Sequence, residues 1–485
     1  MGPRRRIQGS AQSEVSSLVC AGAFGQVRRV LLGGGLLCAA LAPAQELEFP
    51  ISPSPVGSGA RAAGMADAFV AVADDATAAS WNPAGLVQLE RPEFSVVGAF
   101  NAISEDLGAS PDHPEFPSTQ RDSNIDLNFM SLVYPLPSFL GGRNATVSLS
   151  IQQKYDLSRS LDVDFLNEFE LLPGVIIADD LDFIFDQDGS LNTITPAFAF
   201  ELTRRLSLGV AVNIWGDTLV ADSGWDQEVS RSSALSTGGG PATLTEFHRT
   251  ESYDDFRGEN YVVGLLWNVT KRLNFGLRYD STLKADVDFS AREVSTQSPD
   301  PVMEFDDREV RIPDTWAFGI AFRQSDRLTV SADVSITDWD DFLIEHGDGT
   351  KISLVDASNL SDPDTRVDYD TTRTIRIGAE YVFIPKRPKE ILRQIWSLRG
   401  GIFYDEEPAS GRSTTDPSAP GDGEADQFYG FAIGAGVQAL QRLNFDVAYQ
   451  FRYGNNVNSD FVRGVPGFSE DVFQHRILVS SILYF

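Results

Sequence analysis

The chain has 485 residues, a formal charge of −30 and a pI near 4.4, with two cysteines and four histidines. Such acidity excludes a surface built to hold phosphate backbones, and so few cysteines exclude a disulfide scaffold or a thiolate zinc site. After residue 44 no apolar run is long enough to cross a bilayer as a helix, so a membrane location would have to rest on strands.

Residues 1–44 read as an export leader. Arg28 and Arg29 precede an apolar run from Val30 to Ala42, and Ala42-Pro43-Ala44 supplies small residues for cleavage. The mature chain is expected to begin near Gln45. Cys20 and Cys38 both fall inside the leader, which leaves the mature chain without a thiol. A lipoprotein site at Cys38 is the rival reading, but the bulky Leu37 sits where such a site takes a small residue.

Residues 45–90 are neither leader nor strand. The stretch is rich in Ala and Gly, which allow close backbone approach, and it closes on the turn Asn82-Pro83-Ala84-Gly85. It lacks the charge density that keeps a free arm solvated. The sequence predicts a compact segment seated inside something larger, with a solvated periplasmic arm as the alternative. Asp74 and Asp75, before an Ala-rich run, are expected to cap a short helix. Asn82 is expected to bond within its own turn, because Pro83 holds it extended. Asp74, Asp75, Asn82, Pro83 and Ala84 are the gating candidates.

From 91 to 485 the pattern is strand, turn, strand. Leu443, Phe445, Val447, Tyr449 and Phe451 alternate with Asn444, Asp446, Ala448, Gln450 and Arg452, and 273–280 and 327–337 repeat the rhythm. Strands are expected near 92–101, 125–134, 144–156, 192–203, 206–220, 259–268, 272–286, 308–324, 327–338, 370–384, 395–405, 427–438, 442–453 and 472–485. That makes about fourteen, an even number, as a bacterial single-chain barrel needs. Tight turns carrying Arg205, Arg272, Arg327 and Arg442 alternate with long acidic connections at 102–124, 157–191, 221–258, 287–307, 339–369, 406–426 and 454–471. All the long connections fall on one side. The fold class is therefore all-β: a closed antiparallel transmembrane barrel around a small N-terminal hatch. A soluble sandwich also alternates and is the rival reading. A lumen fourteen strands wide is too large for its own side chains to fill, so it calls for a plug.

Several segments resemble the FadL family of outer-membrane proteins, which carry long-chain fatty acids, toluene and related compounds. They are Gly59-Ala60-Arg61-Ala62, Ala73-Asp74-Asp75-Ala76, Asn82-Pro83-Ala84 and Arg91-Pro92-Glu93-Phe94-Ser95, in that order. The strand entry around Pro313, the corner at Trp339 and the segment Leu398–Pro408 are similar to later family signatures. The resemblance implies fourteen strands, an N-terminal hatch, an apolar outer groove, a lumenal pocket and lateral escape at a strand kink. The implied function is uptake of hydrophobic small molecules. Secretion-shuttle barrels of the same superfamily share a similar opening, and that role is the alternative.

Candidate ligand residues follow. Leu47 and Phe49 would reach a lumenal pocket. Phe165, Phe169, Phe183 and Phe185, in the unusually apolar connection 157–191, would form a landing groove or else pack on themselves. Arg278, Arg376, Arg399 and Arg452 fall on the lumen face, where each either meets a carboxylate head group or pairs with a lumen acid such as Asp333, Glu380 or Asp446. Catalysis has no support: no nucleophile elbow occurs, and His475 is the one histidine near the wall. No cofactor or metal is expected; the acids Asp362, Asp364, Asp368 and Asp370 match no calcium loop. The expected surroundings are outer-membrane lipid and lipopolysaccharide, with the terminal Phe485 read by the insertion machinery. The expected state is a monomer with no nucleic-acid partner.

Overall fold

The structure is a computed structural model that describes residues 56–108, 118–139, 142–172, 175–216, 222–237, 242–296, 298–355, 359–361, 366–384, 394–409, 423–457 and 469–485. The leader with Cys20 and Cys38, and the candidates Leu47 and Phe49, lie outside the described residues. So do Asp362 and Asp364 and the side chains of Phe165 and Phe169.

Twenty strands follow in chain order among the described residues. The first seven are β1 (Glu93–Gly108), β2 (Ser118–Phe139), β3 (Arg143–Asp156), β4 (Arg159–Leu172), β5 (Val175–Thr203), β6 (Leu206–Gly216) and β7 (Gly224–Thr237). Next come β8 (Thr243–Asn268), β9 (Leu273–Asp280), β10 (Leu283–Ser295), β11 (Val302–Ile312), β12 (Thr315–Arg323) and β13 (Leu328–Thr337). The last are β14 (Leu343–Glu345), β15 (Lys351–Ser353), β16 (Thr372–Phe383), β17 (Gln394–Glu407), β18 (Asp426–Ala439), β19 (Leu443–Val457) and β20 (Ser469–Tyr484).

Fourteen of these close a ring. The order is β1, β2, β3, β5, β6, β8, β9, β12, β13, β16, β17, β18, β19, β20 and back to β1, with every neighbour antiparallel. Closure leaves no sheet edge in the bilayer, where an unpaired backbone group would be costly. Alternation then sorts the faces. On β20, Ile477, Val479 and Leu483 are exposed while Leu478, Ser480 and Ile482 are buried. On β19, Leu443, Phe445 and Val447 face out and Asp446, Gln450 and Arg452 face in. Aromatic pairs such as Tyr279–Trp316 and Tyr404–Tyr429 stand at the upper end of the outward face, and Tyr449 Oη lies 2.8 Å from His475 Nδ1 among them.

The long connections are not all loops, which corrects the sequence reading. The spans 157–191, 221–258 and 287–307 are mostly strand. The ring continues outward as a six-stranded rim sheet in the order β4, β5, β7, β8, β10, β11. β3 carries on as β4, β6 as β7 and β9 as β10, and β11 runs down into β12 past Pro313. β5 has 29 residues, where a membrane crossing needs about 9–11. Period two persists in these spans, as in Leu161-Asp162-Val163-Asp164. Their acidity suggested loop, but one face of a strand outside the membrane can be wholly charged.

Residues 56–89 pack against the inward face of the ring. They form a short helix α1 (Ala60–Gly64), a second, α2 (Ala78–Trp81), and a 3-10 turn Pro83–Gln88. Nearly all of the segment is buried.

Candidate functional site

Two kinds of contact hold the inner segment. From β6 to β18 the wall presents glycine. Gly209 and Gly264 are directly paired across β6 and β8, Gly276 and Gly319 across β9 and β12, and Gly378 and Gly401 across β16 and β17. A Cβ on Gly264 would stand 2.2 Å from the Asn82 side-chain oxygen, and one on Gly378 would stand 2.2 Å from the Met65 carbonyl oxygen. These wall positions can therefore carry no side chain while the segment is in place.

The second contact is ionic. The Arg61 guanidinium reaches Asp74 at 2.5 Å, Asp75 at 3.5 Å and Glu380 of β16 at 2.9 Å. Arg399 of β17 meets the same Glu380 at 2.8 Å and Asp446 of β19 at 2.6 Å. Burial works against the charge on Arg61, but Asp74 and Glu380 outweigh it and raise its pKa well above the ordinary value. Burial pushes the Asp74 carboxyl up, against the pull of Arg61. Asp74 and Asp75 cap no helix: Thr77, at the N-cap of α2, makes no side-chain cap bond, and Asp75 instead accepts from the Thr77 amide.

Asn82 joins segment to wall. Its side-chain oxygen accepts the Ala84 amide at 3.1 Å, while its NH2 donates to Val70 O at 2.9 Å and to Leu265 O of β8 at 3.1 Å. Asp333 of β13 accepts the Val70 amide at 2.7 Å.

Directly above the segment lies a cavity of about 150 Å³. Val70 and Trp81 form part of its floor, and Tyr155, Trp215, Leu283, Ile312 and Trp339 line its apolar side, while Lys154, Arg278 and Arg376 bring positive charge and Asp67, Asp280, Asp333, Asp405, Glu406 and Glu407 negative charge. Its size matches cavities that accept a benzene-sized guest. Arg278 is bound to Asp280. Lys154 and Arg376 form no ion pair with an acid among the described residues; Arg376 donates to Ser335 Oγ at 3.4 Å. Arg399 and Arg452 are engaged by acids, Arg452 with Asp405 at 3.1 Å and Glu407 at 2.7 Å. Of the four lumen arginines singled out from the sequence, Arg278 and Arg376 thus border the cavity and Arg399 and Arg452 brace the wall. Lys154 was missed, although a lone lysine on the inward face of the third strand is a visible signal.

Phe183 and Phe185 are buried, in one cluster with Leu161. The open groove on the outer side of the rim sheet, about 690 Å³, is instead lined by polar groups including Asp186, Asp226 and Glu228.

Among the described residues the wall has two local irregularities beside the cavity, a register shift between β3 and β5 at Gln153/Tyr155 and a gap between β5 and β6. Ile194 of β5 pairs with Ile214 of β6 and Ala197 with Ala211, but no pair forms between them, where Pro196 lacks an N–H. Thr195 and Asn213 bond to each other by side chains at 2.8 Å behind this gap.

The family model described as outer membrane protein transport protein (OMPP1/FadL/TodX) matches residues 56–463. The chain belongs to this family. It is thus an outer-membrane transport protein of Gram-negative bacteria and a channel rather than an enzyme. A FadL homologue from Pseudomonas aeruginosa is similar in fold at 15% identity and a TM-score of 0.57, over 90% of this chain and 100% of that one. The CymD monoaromatic hydrocarbon channel follows at 14% identity and 0.51, over 89% and 98% of the two chains. A TodX monoaromatic hydrocarbon channel deletion mutant gives 15% and 0.52, over 88% and 99%. Comparison with curated proteins finds no match.

Proposed function

We propose that this channel takes up hydrophobic small molecules, long-chain fatty acids or hydrocarbons, by holding a small hydrocarbon or one end of a longer chain in the cavity above residues 56–89 and releasing it when that segment shifts. The observation that carries this reading is the cavity itself, with an aromatic and aliphatic side and a charged side that includes Lys154 and Arg376, standing on a buried segment on the inward face of the ring. In this reading the segment is the hatch. An aliphatic or aromatic body gains from leaving water for the Trp81, Trp215 and Trp339 side. A carboxylate head would find Lys154 and Arg376, which form no direct ion pair with an acid among the described residues. The gap at Pro196 is the proposed lateral exit, because the ladder pairs at Thr195 and Pro196 are already missing there.

Uptake of a labelled fatty acid and of toluene by cells that express the chain tests the reading. Wild-type cells should accumulate at least one of them, and Lys154→Met with Arg376→Met should lower fatty-acid uptake while sparing toluene. Asn82→Ala removes three hydrogen bonds that tie the hatch to its turn and to β8, and should alter uptake with the barrel intact. Unchanged uptake in Asn82→Ala would remove the gating role. Wild-type cells that take up neither probe would remove the transport reading for these compounds.

A further inference from the structure

The two ends of the barrel carry opposite charge. At the end with the long connections, the outer face of the rim sheet exposes Asp162, Asp164, Asp182, Asp186, Asp188 and Asp226. The other end has the short connections, which in this class of barrel face the periplasm. Each connection described there carries a cation. Arg91 precedes β1, Arg143 opens β3, and Arg204 with Arg205 turns β5 into β6. Lys271 with Arg272 joins β8 to β9, Arg323 and Arg327 flank the turn from β12 to β13, and Arg442 joins β18 to β19. All but Arg143 and Arg327 are exposed. The acids beside them are Glu90, Glu201 and Asp326, and among the described residues none of these forms an ion pair with the cations.

Their height is set by the lipid-facing band. Its last exposed apolar residues at this end are neighbours of the cations in the chain: Leu202 before Arg204, Trp267 before Lys271, Phe322 beside Arg323 and Leu443 beside Arg442. The cations therefore stand where hydrocarbon gives way to headgroup. Four of them are also held in place. Arg91 Nη1 donates to Gln441 O at 3.3 Å, Arg143 Nη1 to Leu202 O at 2.6 Å, Arg205 Nη1 to Val269 O at 3.4 Å and Arg327 Nη2 to Ile384 O at 3.0 Å. Each bond ties one hairpin end to another and uses one of the five guanidinium donors, which leaves enough of the planar fork to grip two oxygens of a phosphate.

We propose that this ring of arginine and lysine is a binding surface for the phosphodiester headgroups of anionic phospholipids in the periplasmic leaflet. The chain as a whole carries a formal charge of −30, so an anionic leaflet would repel it unless cations stood at the point of contact. Basic side chains at such a surface attract it together, and salt screens the attraction over about 10 Å at 0.1 M. A soluble acidic partner would need a patch on one side. These cations are instead spread round the circumference, turn after turn, which fits a collar of lipid. Lipopolysaccharide also carries phosphate but occupies the other leaflet, at the acidic end. The proposal goes beyond the transport reading and does not depend on it.

The test reads lipid choice with no cargo present. The mature barrel is reconstituted in vesicles of phosphatidylcholine and phosphatidylglycerol, with one or the other carrying brominated acyl chains. Trp267 and Trp396, exposed on the lipid face near this end, then report contact by loss of fluorescence. Brominated phosphatidylglycerol should compete for the wild type several-fold better than brominated phosphatidylcholine, and molar salt should remove the difference. Arg204→Gln, Lys271→Gln, Arg323→Gln and Arg442→Gln together change side chains that make no hydrogen bond among the described residues. This variant should lose most of the preference. The matched set at exposed cations of the outer half, Arg121→Gln, Lys284→Gln, Arg292→Gln and Arg373→Gln, should keep it. Glycerophosphoglycerol, the free headgroup, should leave the wild-type preference in place; if it abolishes the preference, the ring takes free phosphate esters and the lipid is overturned as its occupant. Survival of the preference in the periplasmic variant overturns the ring. Equal quenching of the wild type by the two lipids overturns the proposal without recourse to any variant, and capture of polyglutamate in that case would assign the ring to an acidic soluble partner.

Discussion

The two sides of the lumen hold the inner segment by different mixtures of contact: backbone on glycine dominates one, and side-chain hydrogen bonds dominate the other. From β6 round to β18 glycine lets segment backbone rest on wall backbone, and Asn274, Ser331, Asp333 and Glu380 add a few side-chain ties. From β19 through β20 and β1 to β3 the wall keeps its side chains. Gln450 donates to Ala63 O, Arg476 and Asn128 donate to Gly57 O, and Ser131 donates to Ala76 O. On that side Ser95, Thr146 and Ser148 bury hydroxyl oxygens with no hydrogen-bond partner among the described residues. A glycine mould has one fit, because backbone cannot change rotamer. A side-chain contact can rotate or exchange with water, at a net cost of about 1 kcal/mol per hydrogen bond. In the gating reading proposed above, the side-chain half is the side on which the segment would begin to move, and the glycine half the one it would pivot against.

The largest effect should come from spoiling the mould. Gly264→Val and Gly378→Val each place carbon where the segment's own backbone or Asn82 now stands. The barrel should still assemble, shown by its heat-modified mobility on gels, but residues 56–89 should become cleavable by protease. A segment that stays protected in both variants would mean that the wall or the segment shifts freely, and the contrast between the two halves would fail.

The ionic knot comes next. Arg61→Leu leaves Glu380 and Asp74 facing each other with one cation fewer, and truncating one partner of a buried pair costs about 3–5 kcal/mol. Ionic conductance in planar bilayers should rise as the segment loosens. Adding Glu380→Leu should recover part of the loss, because an apolar pair of similar volume replaces a buried ion pair at little cost. If the double variant leaks as much as the single one, Arg61 acts through the acids of its own segment rather than through the wall.

These contrasts were unevenly legible in the sequence. The fourteen-strand ring could be read because alternation is local: each strand declares its two faces without knowledge of its neighbours. The merged readings 272–286 and 308–324 arose because β9 with β10 and β11 with β12 are collinear wall strands, broken only at Ser281–Thr282 and Pro313–Asp314. The rim sheet was hidden by its charge, since acidic alternation outside a membrane looks like loop. The glycine mould was not legible at all. Gly264 and Gly378 look like ordinary strand glycines until the ring register brings them against Asn82 and Met65, about 180 and 310 residues away along the chain. The motif containing Arg61 was visible, but its partner Glu380 depends on the same long-range closure.

A smaller effect should follow at the wall gap. Pro196→Val restores an N–H to β5, which can complete the ladder to β6 between Ile194 and Ala197. One or two added backbone hydrogen bonds are worth about 1–2 kcal/mol, enough to slow opening several-fold. Net uptake of the hydrophobic probe should fall without a change in polar leak. Uptake equal to the wild type would place the exit elsewhere, and the side-chain half of the lumen, next to β5, would lose its proposed outlet.

The smallest change asks whether the side-chain half is as loosely matched as its orphaned hydroxyls imply. Thr146 is fully buried on β3, and its Oγ1 has no hydrogen-bond partner among the described residues. Thr146→Val keeps the shape and removes the oxygen. A buried hydroxyl without a partner costs about 1–3 kcal/mol in desolvation, so its removal should stabilise the packing of segment against wall, by up to that amount. The gain should appear as slower proteolysis of residues 56–89 and a higher denaturant midpoint. The same change at an exposed threonine such as Thr243, at the start of β8, should do nothing. If Thr146→Val instead lowers the midpoint, the hydroxyl is hydrogen-bonded in the working protein. The β1–β3 side would then be as tightly specified as the glycine side, and the segment would have no loose edge from which to move.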